Sequence, residues 1–242
     1  MIGRAAVARL ALLLLFAAPV PALADTTARY VIGEGKQVLV VEIDDGGDKR
    51  VGLDGVFSLI RHGGVDYIVI EKPGERIVAR LGDAIKAMKS QMPGSPVSGD
   101  KDVIALGGGT EEVQVAGFAA TSWTIGPRDS AEKKLSVAMS DDPELAPVGA
   151  ALRWLADSAL SVFEGTVIPP ASEFGPRVRE LLAKGTPVRI APLLELQSVD
   201  HKEIDTHRFD LPGPVASANE LLQALGPSGP PAGSSTPLQP LP

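Results

Sequence analysis

The stretch "KRVGLDGVFSLIRHGGVDYIVIEKPGERIVAR", residues 49 to 80, decides the fold class. It consists of short runs rich in apolar residues, divided by turn residues at even spacing. In "KRVGLD", Val51 and Leu53 share one face while Arg50, Gly52 and Asp54 share the other. That is the period of two of a half-buried strand. Gly55 punctuates, "VFSLIRH" follows, and Gly63-Gly64 turn the chain into "VDYIVIEK". Pro73 and Gly74 then suit the two central positions of a type II turn, because proline presets a negative φ and glycine accepts a positive one. Tyr67 to Ile70 is apolar on both faces, which predicts a strand covered from both sides. Upstream, "QVLVVEID" runs into the turn residues Asp45-Gly46-Gly47-Asp48 and joins the same antiparallel meander.

Beyond "RIVARL" the pattern changes to helix. Asp83 is placed to cap, "AIKAMKSQM" carries helix formers, and Pro93 stops the run. Residues 93 to 110 read as an internal loop. Its "GGGT" lacks a following Lys-Ser/Thr and an opening helix, so it is not a phosphate cradle. Strands resume with "EEVQVAG", "AATSWTIG" and "KLSVAMS". A long helix is expected over 143 to 164, with Asp142 capping, Pro143 at its first position and Glu144 at the positive end of its dipole. Leu145, Val148, Leu152, Leu155, Ala159 and Val162 form its apolar stripe, and Gly165 ends it. A shorter helix is expected from Pro176 to about Lys184. Three strands then close the fold: "PVRIAP", "LLELQSV" and "VDHKEIDTHRFDLP".

Both ends read as non-globular. Arg4 and Arg9 precede an apolar run from Leu10 to Ala18, and Ala22-Leu23-Ala24 supplies a small-x-small cleavage signal. This is the order of a secretory signal peptide over residues 1 to 24, with cleavage after Ala24. The run falls far short of the roughly 20 residues of a bilayer span, so no transmembrane segment is expected in the mature chain. A periplasmic or secreted protein follows. From Gly226 to the end the chain is Pro, Gly and Ser without charge or hydrophobic period, a composition expected to stay disordered. One α+β domain over 25 to 225 remains. It holds no cysteine among 242 residues, so its core must supply stability without disulfides. The net charge of −7 becomes more acidic once Arg4 and Arg9 leave, which argues against a nucleic-acid partner.

Residues 199 to 212 hold the best case for chemistry, since His201, Glu203, Asp205 and His207 would share one face of a strand. At roughly 3.3 Å per residue the two histidines would lie about 20 Å apart. Zinc ligands must all lie about 2 Å from one ion, so no metal site is expected. The stretch reads instead as a charged edge or terminal strand. His62, beside Gly63-Gly64, reads as a turn residue. There is no G-x-S-x-G elbow and no thiolate, and no catalytic residue or cofactor is assigned. An enzyme is not expected. Trp154, flanking the helical stripe, and Trp123, in a strand, either edge the core or line an apolar space between helix and sheet.

The meander "DDGGDKRVGLDG…VDYIVIEKPGERIVAR", followed by "VQVAGFAATSWTIG", "VAMSDDPELAPVGAALRWL" and "GTPVRIAPLLELQSVDHKEIDTHRFDLP", resembles the lipoprotein-localisation-factor (LolA-like) superfamily, nearest to its uncharacterised periplasmic members. The resemblance covers most of residues 28 to 212. It implies a strongly curved antiparallel sheet, a half-barrel, with helices on the concave face, and lipid or acyl chains held between the two. Candidates to line that space are Tyr67, Val69, Trp123, Leu152, Trp154 and Leu155. The implied function is non-catalytic binding of an apolar ligand: a lipid, an acyl chain or a lipoprotein anchor. The alternative is an envelope interaction or structural protein with a filled core, whose partner is another protein.

Overall fold

The computed structural model describes residues 25–33, 35, 37–91, 104–131, 133–163 and 171–225. The expected signal peptide, most of the expected internal loop, Gly165 and the C-terminal tail lie outside these residues. The chain opens with six strands: β1 (Thr26–Ile32), β2 (Gln37–Ile43), β3 (Lys49–Leu53), β4 (Phe57–His62), β5 (Val65–Lys72) and β6 (Glu75–Arg80). Helix α1 (Leu81–Gln91) follows, then β7 (Ile104–Val115), β8 (Phe118–Pro127) and β9 (Leu135–Ser140). A 3-10 turn at Pro143–Leu145 leads into α2 (Ala146–Phe163), and α3 (Ala171–Leu182), β10 (Thr186–Ala191), β11 (Leu194–Asp200) and α4 (Ala218–Leu225) complete the order.

All eleven strands form one open antiparallel sheet in the order β6-β5-β4-β3-β2-β1-β11-β10-β9-β8-β7. It is two meanders joined where the first strand meets the last, from Thr27 opposite Asp200 to Ile32 opposite Leu194. The β2 to β6 half follows the punctuation in the sequence, and Gly74 takes φ +79° as its turn requires. That half pairs without a register shift. The other half does not. Shifts fall between Arg29 and Tyr30, between Pro187 and Arg189, and between Gly108 and Glu111. Bulges bend a strand and increase its twist, so the sheet curls most from β1 to β7. The curl is visible in the core: Val115 and Ala120, from the far β7–β8 hairpin, join one cluster with Leu39 and Val41 of β2. The helices lie inside this curve. The α+β half-barrel is the observed fold.

The main core lies between α2 and strands β1, β2, β3 and β10. Leu145, Val148, Ala151 and Leu152 are between 0 and 6 % exposed there. Tyr30 is fully buried among them, its hydroxyl donating to the Pro187 carbonyl at 3.0 Å. Burial pushes that hydroxyl far above its ordinary pKa and keeps it a donor. A second cluster packs α3 on β7 to β9, and a third packs α1 and α4 on β5 and β6. Ile60, Val69 and Val78 pack on the opposite face against Leu211, so β5 is covered from both sides as its sequence predicts.

Several expectations are corrected. The expected closing strand over 199 to 212 ends at Asp200, and Thr206–Phe209 is a 3-10 turn whose cap, Asp205, accepts from the His207 amide. Charged residues at alternate positions carry no apolar face to bury, so nothing holds that stretch in the sheet. Residues 104 to 110 of the expected loop belong to β7. The first helix starts at Leu81 rather than after Asp83, which lies in its first turn. Asp142 caps as expected, through the Glu144 amide, but the turn it caps is 3-10 and the α-helix begins at Ala146. Pro176 lies inside α3 instead of opening it. Strand β1 and helix α4 carry patterns the sequence reading passes over.

Candidate functional site

A cavity of about 530 Å³ opens at the end of the curled half of the sheet. It is lined by apolar residues, Val31 of β1, Leu194 of β11, Pro192 of the β10–β11 turn and Ala116 at the tip of the β7–β8 hairpin, and by polar ones, Arg189, Glu195 and Gln197. The bulge between Arg29 and Tyr30 and the curl of the hairpin bring these distant segments together. Leu196 is 2 % exposed and belongs to the main core, and Leu194 packs against that core. Glu195 and Gln197, which alternate with them on β11, also line the cavity. Leu193, next to the cavity, is 52 % exposed. At the rim, Arg189 makes a fork on Glu195, with Nε 2.8 Å from Oε2 and Nη2 3.4 Å from Oε1. Both ends are solvated, so the pair orients rather than stabilises.

The residues selected from sequence fall in different places. Leu152, Trp154 and Leu155 come together at the main core. Val69 and Tyr67 point to the opposite face of the sheet, Val69 beneath Leu211. Trp123 packs in the second cluster with Leu181 and Leu182. None of the six lines the cavity at β11.

Both tryptophans have polar neighbours. The Trp154 indole N–H donates to Asp66 at 3.3 Å, and its ring has Arg61 at 5.4 Å and Lys49 at 5.5 Å. Arg61 grips Asp66 with two bonds, 2.6 and 2.8 Å. Burial alone would raise the Asp66 carboxyl. Arg61, the Trp154 N–H and Lys49 reverse that and hold it below the ordinary carboxylate value. Burial first, then the Arg61 charge, lowers the Lys49 amine. Trp123 lies flat over Gly109, where a Cβ would come within 2.6 Å of the ring, and Lys184 stands 5.2 Å from the ring centre. Gly109 of the "GGG" is thus a seat for an aromatic ring in a bulged strand.

The three histidines stand apart, each beside its own carboxylate. His201 meets Glu144 at 2.9 Å, His62 meets Asp48 at 2.6 Å, and His207 meets Asp210 at 2.8 Å. The Asp210 contact, with the charges of Asp205 and Asp210, raises the His207 pKa. No group of three or more metal-ligating side chains gathers among the described residues. No described helix is long and apolar enough to cross a membrane.

The chain matches no family model, and no curated protein matches it. Among solved structures, the crystal structure of MucB is similar over 84 % of this chain and 63 % of that chain, with 12 % identity and a TM-score of 0.30. The chain thus spans less than two thirds of the MucB chain, and no residue role is carried across at that level of likeness.

Proposed function

We propose that this chain is an exported, non-catalytic binding protein for an apolar ligand (a lipid, an acyl chain or a lipoprotein anchor), taken up at the cavity between β11 and the β7–β8 hairpin. The observation that carries this reading is the meeting of distant segments: Val31 of β1, Pro192 and Leu194 at the start of β11, and Ala116 of the hairpin tip line one cavity beside the main core. Val31, Ala116, Pro192 and Leu194 would give a ligand tail apolar contact, beside the polar Arg189, Glu195 and Gln197. The volume of about 530 Å³ suits a ligand of moderate size. The resemblance to the LolA-like superfamily implies the same class of ligand, and the signal-peptide pattern supports an envelope or extracellular setting. Arg189 and Glu195 would hold the polar end at the rim.

A fluorescent fatty acid titrated into residues 25 to 242 tests the reading. The expected result is saturable binding that Leu194→Arg weakens at least about tenfold, since a buried charge opposes an apolar tail. A Gln197→Trp variant, which fills the cavity from its edge, should compete in the same way. Absence of saturation, or equal binding by both variants in folded form, contradicts the site.

The packing beneath α2 favours a second reading. Leu145, Val148 and Ala151 are fully buried against the sheet, leaving the helix–sheet space occupied by side chains. An envelope interaction protein would bind no fatty acid and would use its surface to meet a protein partner.

A further inference from the structure

The face of β2 to β6 turned away from the helices is unusually charged. By strand alternation Glu42, Arg50, Ser58, Ile60, Val69, Glu71, Arg76 and Val78 all point to it. Residues 201 to 217 cross this face as a strap. Phe209 is buried, Leu211 packs against Ile60, Val69 and Val78, and the Ala216 amide donates to the Val78 carbonyl at 2.7 Å at the sheet edge. Between strap and sheet lies a cavity of about 560 Å³, distinct from the one at β11.

Its chemistry is uneven. Glu42, with 9 % of its side chain exposed, serves two guanidinium groups: Arg208 by a fork of 2.9 and 3.0 Å, and Arg50 at 3.7 Å. Two cations therefore share one carboxylate. Arg50 donates from Nη2 to the buried Ser58 hydroxyl at 3.2 Å, which leaves the Ser58 proton free to donate onward. The Arg50 Nε–H is buried and meets no acceptor among the described residues. A buried donor without an acceptor is costly, and native proteins leave few of them. Gly52 keeps the space open, because a Cβ there would come within 2.7 Å of the Ser58 hydroxyl. The other acids on the lining face cations of their own, Asp210 with His207 and Glu71 with Arg76, while Asp54 stands on the exposed β3–β4 turn.

We propose that the cleft beneath the strap binds a small molecule bearing an oxyanion, a phosphate or a carboxylate, through Arg50, Ser58 and Arg208, with Leu211 of the strap giving apolar contact to the rest of the ligand. A guanidinium presents its donors in a fork that matches such an anion, and Arg208 keeps one amino group outside its bond to Glu42. The strap supplies Arg208 and Leu211, so a ligand here would also fasten residues 201 to 217 to the sheet.

Inorganic phosphate and acetate are the probes, added to residues 25 to 242 while the Arg Nε–H resonances are followed by NMR. At least one probe should saturate at millimolar concentration and shift the Arg50 Nε–H. Arg50→Lys, which keeps the charge and loses the fork, should weaken that binding about tenfold, as should Ser58→Ala. Arg177→Lys, on the exposed surface of α3, should leave it unchanged. Saturation by phosphate alone or by acetate alone identifies which oxyanion the ligand carries. Failure of both probes to saturate overturns the proposal. So does binding that folded Arg50→Lys and Ser58→Ala retain in full, which would mark an adventitious ion only. Should Arg50→Lys not fold, Ser58→Ala decides alone.

Discussion

Asp66 shows how a single carboxylate ties the long helix to the sheet. It is held by Arg61 on the neighbouring strand and by the Trp154 N–H on α2, and these partners keep its pKa below the ordinary range. The consequence for pH has a definite sign. A carboxylate whose folded pKa is depressed contributes stability that is complete above its unfolded value, about 3.9, and fades as pH falls through the lower folded value. Denaturant midpoints measured on descending pH should therefore fall more steeply below about 3.9 in the native chain than in Asp66→Asn. Parallel curves would remove Asp66 from the account. At this scale the sequence was only half legible. Trp154 is visible as a residue beside an apolar stripe, but its partners Lys49, Arg61 and Asp66 lie on strands about ninety residues earlier, and nothing local connects them. Arg50 is harder still, since it reads as the solvated half of an alternating strand until a strap from the far end of the chain covers it.

The elements divide by whether local chemistry or distant packing determines them. Strands β2 to β6 are set by turn residues and by the short apolar runs between them, and their boundaries are readable to within a residue or so. The bulged strands are not, because a bulge is chosen by what the strand must curve around. "GGGT" offers the clearest case: three glycines suggest a loop, yet they sit in β7, where the Trp123 ring of β8 lies over Gly109 and the β8 backbone closes on Gly108. Gly109 has φ +91° and no room for a side chain. Gly109→Ala should lower stability by about 1–3 kcal/mol through overpacking, with a loss of the near-UV signal of Trp123. An unchanged melting curve and spectrum would mean that the ring is free to lift away. The strap was missed for the opposite reason. Alternating charges in "HKEIDTHRF" mimic a strand, while the buried members of the stretch, Ile204 and Phe209, are too far apart in sequence to mark a face.

At the scale of the molecule, two meanders joined through β1 and β11 make a sheet that curves about its own helices. The sequence conveys each meander and the α+β class, but not the seam, because Tyr30 and Leu196 meet only after the whole chain has folded. The seam is also where the cavity forms, from residues of β1, β10, β11 and the β7–β8 tip. This is why residues chosen for size and periodicity, such as Leu152 and Leu155, turn out to fill the core beneath α2 instead of lining the cavity. The sheet's two edges are handled differently. The β6 edge is paired by Val215 and Ala216 of the strap, and β7 carries a bulge with exposed Glu111 and Glu112, features that discourage pairing with other chains.

The central claim is that the curled end of the sheet holds an apolar ligand. Native mass spectrometry of residues 25 to 242, purified gently from an exporting host and compared before and after lipid extraction, tests it most directly. The account predicts a stoichiometric adduct that disappears on extraction, returns when lipid is added back, and is absent from Leu194→Arg. A bare protein mass in every sample, unchanged by added lipid, would contradict it and leave the filled-core interaction protein as the reading.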